Sequence, residues 1–194
     1  MLPLISLLLF ASCISISKKK DDVQTKDLSV EKIKQRVVAL KEYARTHKFS
    51  TELGILVDMT IASDKKRLFV VNMKNDSVLV SGLCAHGQCG DYMREEVVFS
   101  NEPGSNCSCN GHFKLGGKYS GDFGLAYKLY GLDTSNSNAF NRFIVFHYYS
   151  CVSDFENSGA CRSNGCPMVS PQVFKDASKY VDASKKPVLM WIYK

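Results

Sequence analysis

From Leu53 onward the apolar residues fall into short runs broken by polar or glycine-bearing turns, a period that restricts the chain to a β-rich fold. The runs are Gly54 to Asp58, Arg67 to Met73, Ser77 to Leu83, Gly124 to Tyr130, Phe143 to Tyr149 and Val188 to Tyr193. Lys74-Asn75-Asp76, between the second and third, has the composition of a hairpin turn. The glycines read as loop residues, and no internal repeat is evident. One helix is predicted near Pro171 to Tyr180. Another carries Leu28, Ile33, Val37, Leu40 and Ala44 at helical spacing, starting near Ser29 with Glu31 in its first turn. It reads as an amphipathic helix packed on the domain, with a coiled coil or partner helix as the alternative. The predicted class is mainly β with peripheral helices: a β-rich, sandwich-like domain preceded by an amphipathic helix.

A length of 194 residues fits one such domain plus an export segment. Leu2 to Phe10 is apolar apart from Pro3 and Ser6, and Ala11-Ser12-Cys13 follows. This pattern fits a signal core with a small-residue cleavage region, and it resembles a bacterial lipobox. Residues 1–13 are therefore expected to be a signal peptide that ends at Cys13, whose lipidation would anchor the protein to a membrane. An ordinary cleaved signal and a buried helix are the alternatives. The run is shorter than the roughly 20 apolar residues of a membrane span. Residues 14–27, including Ser17-Lys18-Lys19-Lys20-Asp21-Asp22, read as a charged, solvated tether, and the domain is expected over 28–194.

The 8 cysteines are many for a reduced cytosolic chain and, with the export signal, argue for an oxidising compartment. Setting aside Cys13 and Cys166, the residues Cys84, Cys89, Cys107, Cys109, Cys151 and Cys161 allow about fifteen complete pairings. Closure of Cys84 with Cys89 is one local option. A zinc site is the rival reading, since Cys84, His86, Cys89, Cys107, Cys109 and His112 are ligand types in two neighbouring clusters. Their spacings match no common zinc module, and no metal is assigned. The net charge of +6 suits an anionic polymer, although part of it belongs to the tether. No motif points to nucleic acid.

The chemistry is expected in Arg162-Ser163-Asn164-Gly165-Cys166-Pro167 and in His147, which ends the run Phe143-Ile144-Val145-Phe146. A thiol is mostly protonated at neutral pH and needs a base to act as nucleophile, so Cys166 and His147 form the candidate pair. Gly165 permits a tight turn in which the amides of Gly165 and Cys166 would face the oxygen of a carbonyl under attack. That chemistry is acyl transfer. The same residues also admit a plain reading, with Cys166 in a disulfide and His147 structural.

A wider set of segments resembles the L,D-transpeptidase catalytic (YkuD-like) domain found in bacterial envelope lipoproteins. They are Arg67 to Val71, Ala85-His86-Gly87, Phe99-Ser100-Asn101 with Pro103-Gly104-Ser105, Gly124-Leu125 before Leu129-Tyr130-Gly131, Ile144 to His147, and Arg162 to Pro167. The resemblance runs from about Gly54 to Lys194. It implies that His147, Ser163 and Cys166 are catalytic and that Gly165 belongs to the site, with Asn164, Arg162 and His86 as substrate-binding candidates. Three departures carry expectations of their own. Tyr148 stands where glycine is usual, and its ring is expected to narrow the space beside the imidazole. Asn164 replaces histidine or tryptophan, removing a ring that would stack on substrate. Ala126 and Lys128 replace serine and arginine, which removes bidentate carboxylate recognition.

The resemblance implies a murein L,D-transpeptidase: Cys166 attacks a peptidoglycan tetrapeptide stem, releases the terminal D-alanine and holds the acyl group as a thioester. A second stem's amine or water then takes the acyl group. The alternatives are an L,D-carboxypeptidase or endopeptidase acting on the same stems, and a non-catalytic peptidoglycan-binding lipoprotein. No cofactor is needed, and the expected location is the bacterial cell envelope, lipid-anchored and facing the periplasm.

Overall fold

The structure, a computed structural model, describes residues 31–122 and 124–194. The expected signal segment, Cys13 and the tether at 14–27 lie outside the described residues. Residues 31–46 form helix α1, in which Val37, Leu40 and Ala44 of the predicted apolar stripe are buried. Within the unit Val37–Lys194 the strands are β1 (Leu53–Asp58), β2 (Leu68–Asn72), β3 (Ser77–Gly82), β4 (Gly111–Gly121), β5 (Gly124–Gly131), β6 (Val145–Tyr148), β7 (Met168–Val169) and β8 (Leu189–Tyr193). Helix α2 (Pro171–Ala183) precedes β8. Ser170 caps α2 by accepting the Val173 amide, and Pro171 supplies its first residue.

The strands hydrogen-bond as one sheet in the order β3-β2-β1-β8-β4-β5-β6-β7. Two pairings are parallel, β1 with β8 and β6 with β7, and the others are antiparallel. Alternation builds the core from one face: Ile55 and Val57, Met190 and Ile192, Phe113 and Leu115, Tyr127 and Leu129, and Phe146 meet Val173, Phe174 and Ala177 of α2. On β1, Gly54 admits Leu40, whose Cδ2 would stand 2.6 Å from a Cβ at that position. Close contact between α1 and the sheet thus requires a residue without a side chain.

The six predicted runs all contain strands, and the turn after β2 is where Lys74-Asn75-Asp76 placed it. The sequence reading missed β4 and β7. In β4 the apolar alternation of Phe113 and Leu115 stops at Gly116-Gly117, where the register with β5 shifts. Its pairing with β5 and β8 holds the strand where local pattern would not. The assignment of glycines to loops is corrected accordingly, since Gly54, Gly116 and Gly117 lie within strands.

Candidate active site

β6 lies between β5 and β7, and Phe146 points into the core against Phe174. Strand alternation therefore directs His147 to the opposite face, with Ala126 directly across on β5 and Met168 across on β7. Tyr148 shares the core face with Phe146. Its ring packs against Phe174 at 5.4 Å, and its hydroxyl sits where a Cβ on Gly124 would be 2.4 Å away. The expectation that this ring narrows the space beside the imidazole is corrected: a residue next to His147 in a strand faces away from it. Tyr149, two residues along, is the aromatic that lines the cleft.

The backbone of Tyr148 serves the histidine. Its carbonyl lies 3.0 Å from His147 Nδ1, and because a carbonyl only accepts, Nδ1 carries the proton. The Nε2 lone pair is then the basic one. Burial lowers the His147 pKa from 6.5, opposed by that backbone hydrogen bond, so the ring is neutral at pH 7.

Cys166 is a free, half-buried thiol on the turn leading into β7. Its Sγ accepts the Val145 amide at 3.4 Å and approaches the Phe143 carbonyl at 3.7 Å. Burial raises its pKa to about 11, partly offset by the Val145 hydrogen bond. The resting pair is thus thiol and neutral imidazole, without ionisation in advance of substrate.

Ser163 organises the turn from within. Its hydroxyl donates to the Cys166 carbonyl at 2.7 Å and accepts the Gly165 amide at 3.1 Å. Its backbone bridges to the segment at 86–88, with Ser163 N donating to His86 O at 2.9 Å and Gln88 N donating to Ser163 O at 2.8 Å. The Gly165 amide is therefore engaged, which corrects the expectation that it faces an oxyanion. Gly165 has φ +117, and a Cβ there would lie 2.7 Å from the Cys107 carbonyl. The position combines a left-handed backbone with a close approach. Ser108 Oγ holds the Gly165 carbonyl at 3.2 Å, and Arg142 fixes the neighbouring wall by donating to the carbonyls of Ser100 and Cys107 at 2.5 and 2.6 Å.

His147, Cys166, Ser163, Asn164 and Arg162 line one cleft of about 460 Å³, with Tyr92, Tyr149, Met168 and the Cys151–Cys161 disulfide. Asn164 Oδ1 accepts from Gln88 Nε2 at 3.2 Å. Arg162 donates to the carbonyls of Arg94 and Ala160, which holds it in the wall. His86 is fully buried and does not line the cleft, so its expected contact with substrate is corrected. Arg67 Nη2 donates to His86 Nδ1 at 2.9 Å, and burial, with nearby Arg67, lowers the His86 pKa to about 4. Tyr92 and Tyr149 were missed from sequence. The alternation that places Tyr149 beside His147 was a usable signal, whereas Tyr92 sits in a loop without periodicity.

The other cysteines settle into Cys89–Cys107 and Cys151–Cys161, with Cys84 and Cys109 buried as thiols. The local option of Cys84 with Cys89 is thereby corrected. The rival zinc reading loses Cys89 and Cys107 to a disulfide, His86 to Arg67 and His112 to Asp133, and no group of three metal-ligating side chains occurs among the described residues.

A free thiol on the turn into β7 and a neutral imidazole on β6, lining one cleft at the end of a β sheet, define a cysteine–histidine site. The chain belongs to the L,D-transpeptidase catalytic domain family, whose model matches residues 24–193. No curated protein matches. Similar solved structures include the helical cell shape determining protein Pgp2 from Campylobacter jejuni (13% identity, TM-score 0.49, 73% of this chain and 47% of that one). The L,D-transpeptidase from Mycobacterium smegmatis is also similar (13%, 0.43, 74% and 59%). So is an L,D-transpeptidase from Mycobacterium tuberculosis (12%, 0.42, 74% and 58%). The chain thus spans between 47% and 59% of the length of these three proteins.

Proposed function

We propose that the protein is a murein L,D-transpeptidase that transfers the acyl group of a peptidoglycan stem peptide through a thioester on Cys166. The observation that carries this reading is the free Cys166 thiol in one cleft with a neutral, carbonyl-oriented His147, in a chain of the L,D-transpeptidase family. His147 Nε2 takes the thiol proton as Sγ attacks the carbonyl carbon, and the leaving D-alanine amine receives that proton. The Val145 amide favours developing charge on sulfur. With Gly165 N–H bonded to Ser163, the amide of Cys166 itself is the turn's donor for the oxyanion. Ser163 acts as a positioning residue. Peptidoglycan places this work in the cell envelope, and lipidation at Cys13 would hold the enzyme at a membrane surface. No helix among the described residues is long and apolar enough to cross a membrane.

The test is incubation of the full chain with tetrapeptide muropeptides, read by mass spectrometry beside Cys166→Ala. Crosslinked dimers with loss of D-alanine are expected only with Cys166 present. Tripeptides alone would replace transpeptidation with trimming, and identical profiles from both proteins would leave a peptidoglycan-binding protein.

The resting ionisation also makes a pH prediction. Activity requires neutral His147, whose pKa lies below 6.5, so kcat/KM should fall as pH drops through a midpoint below 6.5. It should then stay level until the thiol ionises near pH 11. A profile falling between about pH 8 and 9 instead would indicate a preformed thiolate–imidazolium pair.

A further inference from the structure

Two cavities of about 520 and 570 Å³ open at the far end of α2, away from the catalytic cleft. Ser184, Lys185 and Lys186, which follow that helix, line both of them. The first also holds Glu52, Lys74 and Tyr180, and the second Lys114, Lys118 and Asp182. None of these residues lines the cleft of Cys166. Pro171 opens α2 shortly after the catalytic turn, and the 13-residue helix carries the chain about 20 Å onward. The shared rim is firmly built: Ser50 N donates to Pro187 O and Leu115 N to Val188 O, each at 2.9 Å, and Ser184 Oγ donates to Lys186 O at 2.8 Å. Lys185 and Lys186 stand exposed on it. Charge is unbalanced in both cavities. Glu52 pairs with Lys74 at 2.8 Å and Asp182 with Lys118, so both lining carboxylates are engaged. Lys74, with Lys185 and Lys186 acting at longer range, holds the Glu52 carboxyl below its usual range. Among the described residues Lys114, Lys185 and Lys186 form no ion pair, and Lys114 Nζ lies 4.6 Å from the Tyr130 ring centroid.

We infer that these two cavities are a second, non-catalytic binding site for the wall polymer, taking carboxylates of a glycan strand's stem peptides at Lys114, Lys185 and Lys186. The inference rests on the peptidoglycan reading above, which supplies a polymer with carboxylates at repeated positions. Each cavity has the volume of a small-ligand site, concave enough for a polymer's projecting groups and closed to a flat bilayer. Three ammonium groups without ion pairs give such a polymer the complementary charge. Lysines take carboxylates as point charges on flexible stems, which suits groups that arrive in varied orientations. A strand held at the far end of α2 then presents its other stems to Cys166 at raised effective concentration, because that second encounter is intramolecular.

The experiment measures co-sedimentation of the full chain with purified sacculi, in a Cys166→Ala background so that no turnover intrudes. Lys185→Glu combined with Lys186→Glu is expected to raise the apparent Kd about tenfold, and added salt should weaken the parent more than this double variant. Lys185→Gln with Lys186→Gln should give a smaller rise in the same direction, and it decides the matter if the glutamate variant loses the parent's Tm. Amidating the carboxylates of the sacculi should weaken the parent more than the glutamate variant, since the same charge pairs can be lost only once. Unchanged binding in both double variants would overturn the inference, as would equal binding of the parent to native and amidated sacculi. Lysine-dependent binding to phosphatidylglycerol vesicles and not to sacculi would overturn it too, assigning the cavities to a membrane surface. Because sedimentation needs no turnover, a wild type that makes no product from muropeptides would remove the transpeptidase reading and leave this measurement to decide the second site on its own.

Discussion

Replacing His147 with alanine is expected to lower kcat/KM at pH 7 by about a hundredfold to ten-thousandfold, the range for loss of a positioned general base. The resting thiol makes that loss large. With a pKa near 11, Cys166 holds almost no thiolate at neutrality, so the proton must leave during attack, and His147 is the imidazole lining the same cleft. The variant should carry a signature that a collapsed site would lack. Its residual activity should climb about tenfold per pH unit toward 11, because hydroxide then performs the deprotonation, whereas the wild type is level there. Thioester formation measured from pH 7 to 10 on both proteins decides this. A variant with a flat profile would mean that His147 supplies structure and no proton transfer.

Arg67→Met is expected to cost about 3–5 kcal/mol of stability, or about 10 °C in Tm for a chain of this size. Arg67 is only 1% exposed. Its guanidinium donates to the carbonyls of Cys84 and Ile61 at 2.7 and 3.1 Å and to His86 Nδ1 at 2.9 Å. Methionine fills similar space but strands two carbonyls and an imidazole in the interior, each without its donor. Because His86 O accepts the Ser163 amide, the disturbance should reach the catalytic turn as well. Thermal unfolding followed by circular dichroism checks the claim, and a Tm within about 3 °C of the wild type would show that water or neighbouring donors replace the guanidinium.

Local pattern carried much of this architecture. The runs at Leu53, Leu68, Ser77, Val145 and Leu189 were visible because β-branched and aromatic residues alternate against a single core. Cys166 and His147 were visible because their chemistry is specific. What stayed hidden depends on partners distant in sequence. β4 is held by neighbours on both sides, and Ser163, expected among the catalytic residues, has its hydroxyl between Gly165 N and Cys166 O. Tyr148 and His86 were misjudged for one reason: proximity in sequence or in a motif was taken for proximity to substrate. Orientation in a strand decides the first, and a buried guanidinium seventeen to nineteen positions upstream decides the second through hydrogen bonds to Cys84 and His86.

The Cys151–Cys161 bond, with the Val152–Ala160 bridge just inside it, closes the excursion between β6 and β7 at its base. The nucleophile's turn is moored separately, to His86 and Gln88. Doubling the excursion's length would add only about 0.6 kcal/mol of closure entropy. The tip from Ser153 to Gly159 is itself tied down, since Asn157 N donates to Asp64 O at 2.9 Å, Glu156 Oε1 accepts the Lys66 amide at 2.9 Å and Asp154 accepts from the Ser170 hydroxyl, so inserted sequence has to leave those three anchors in place.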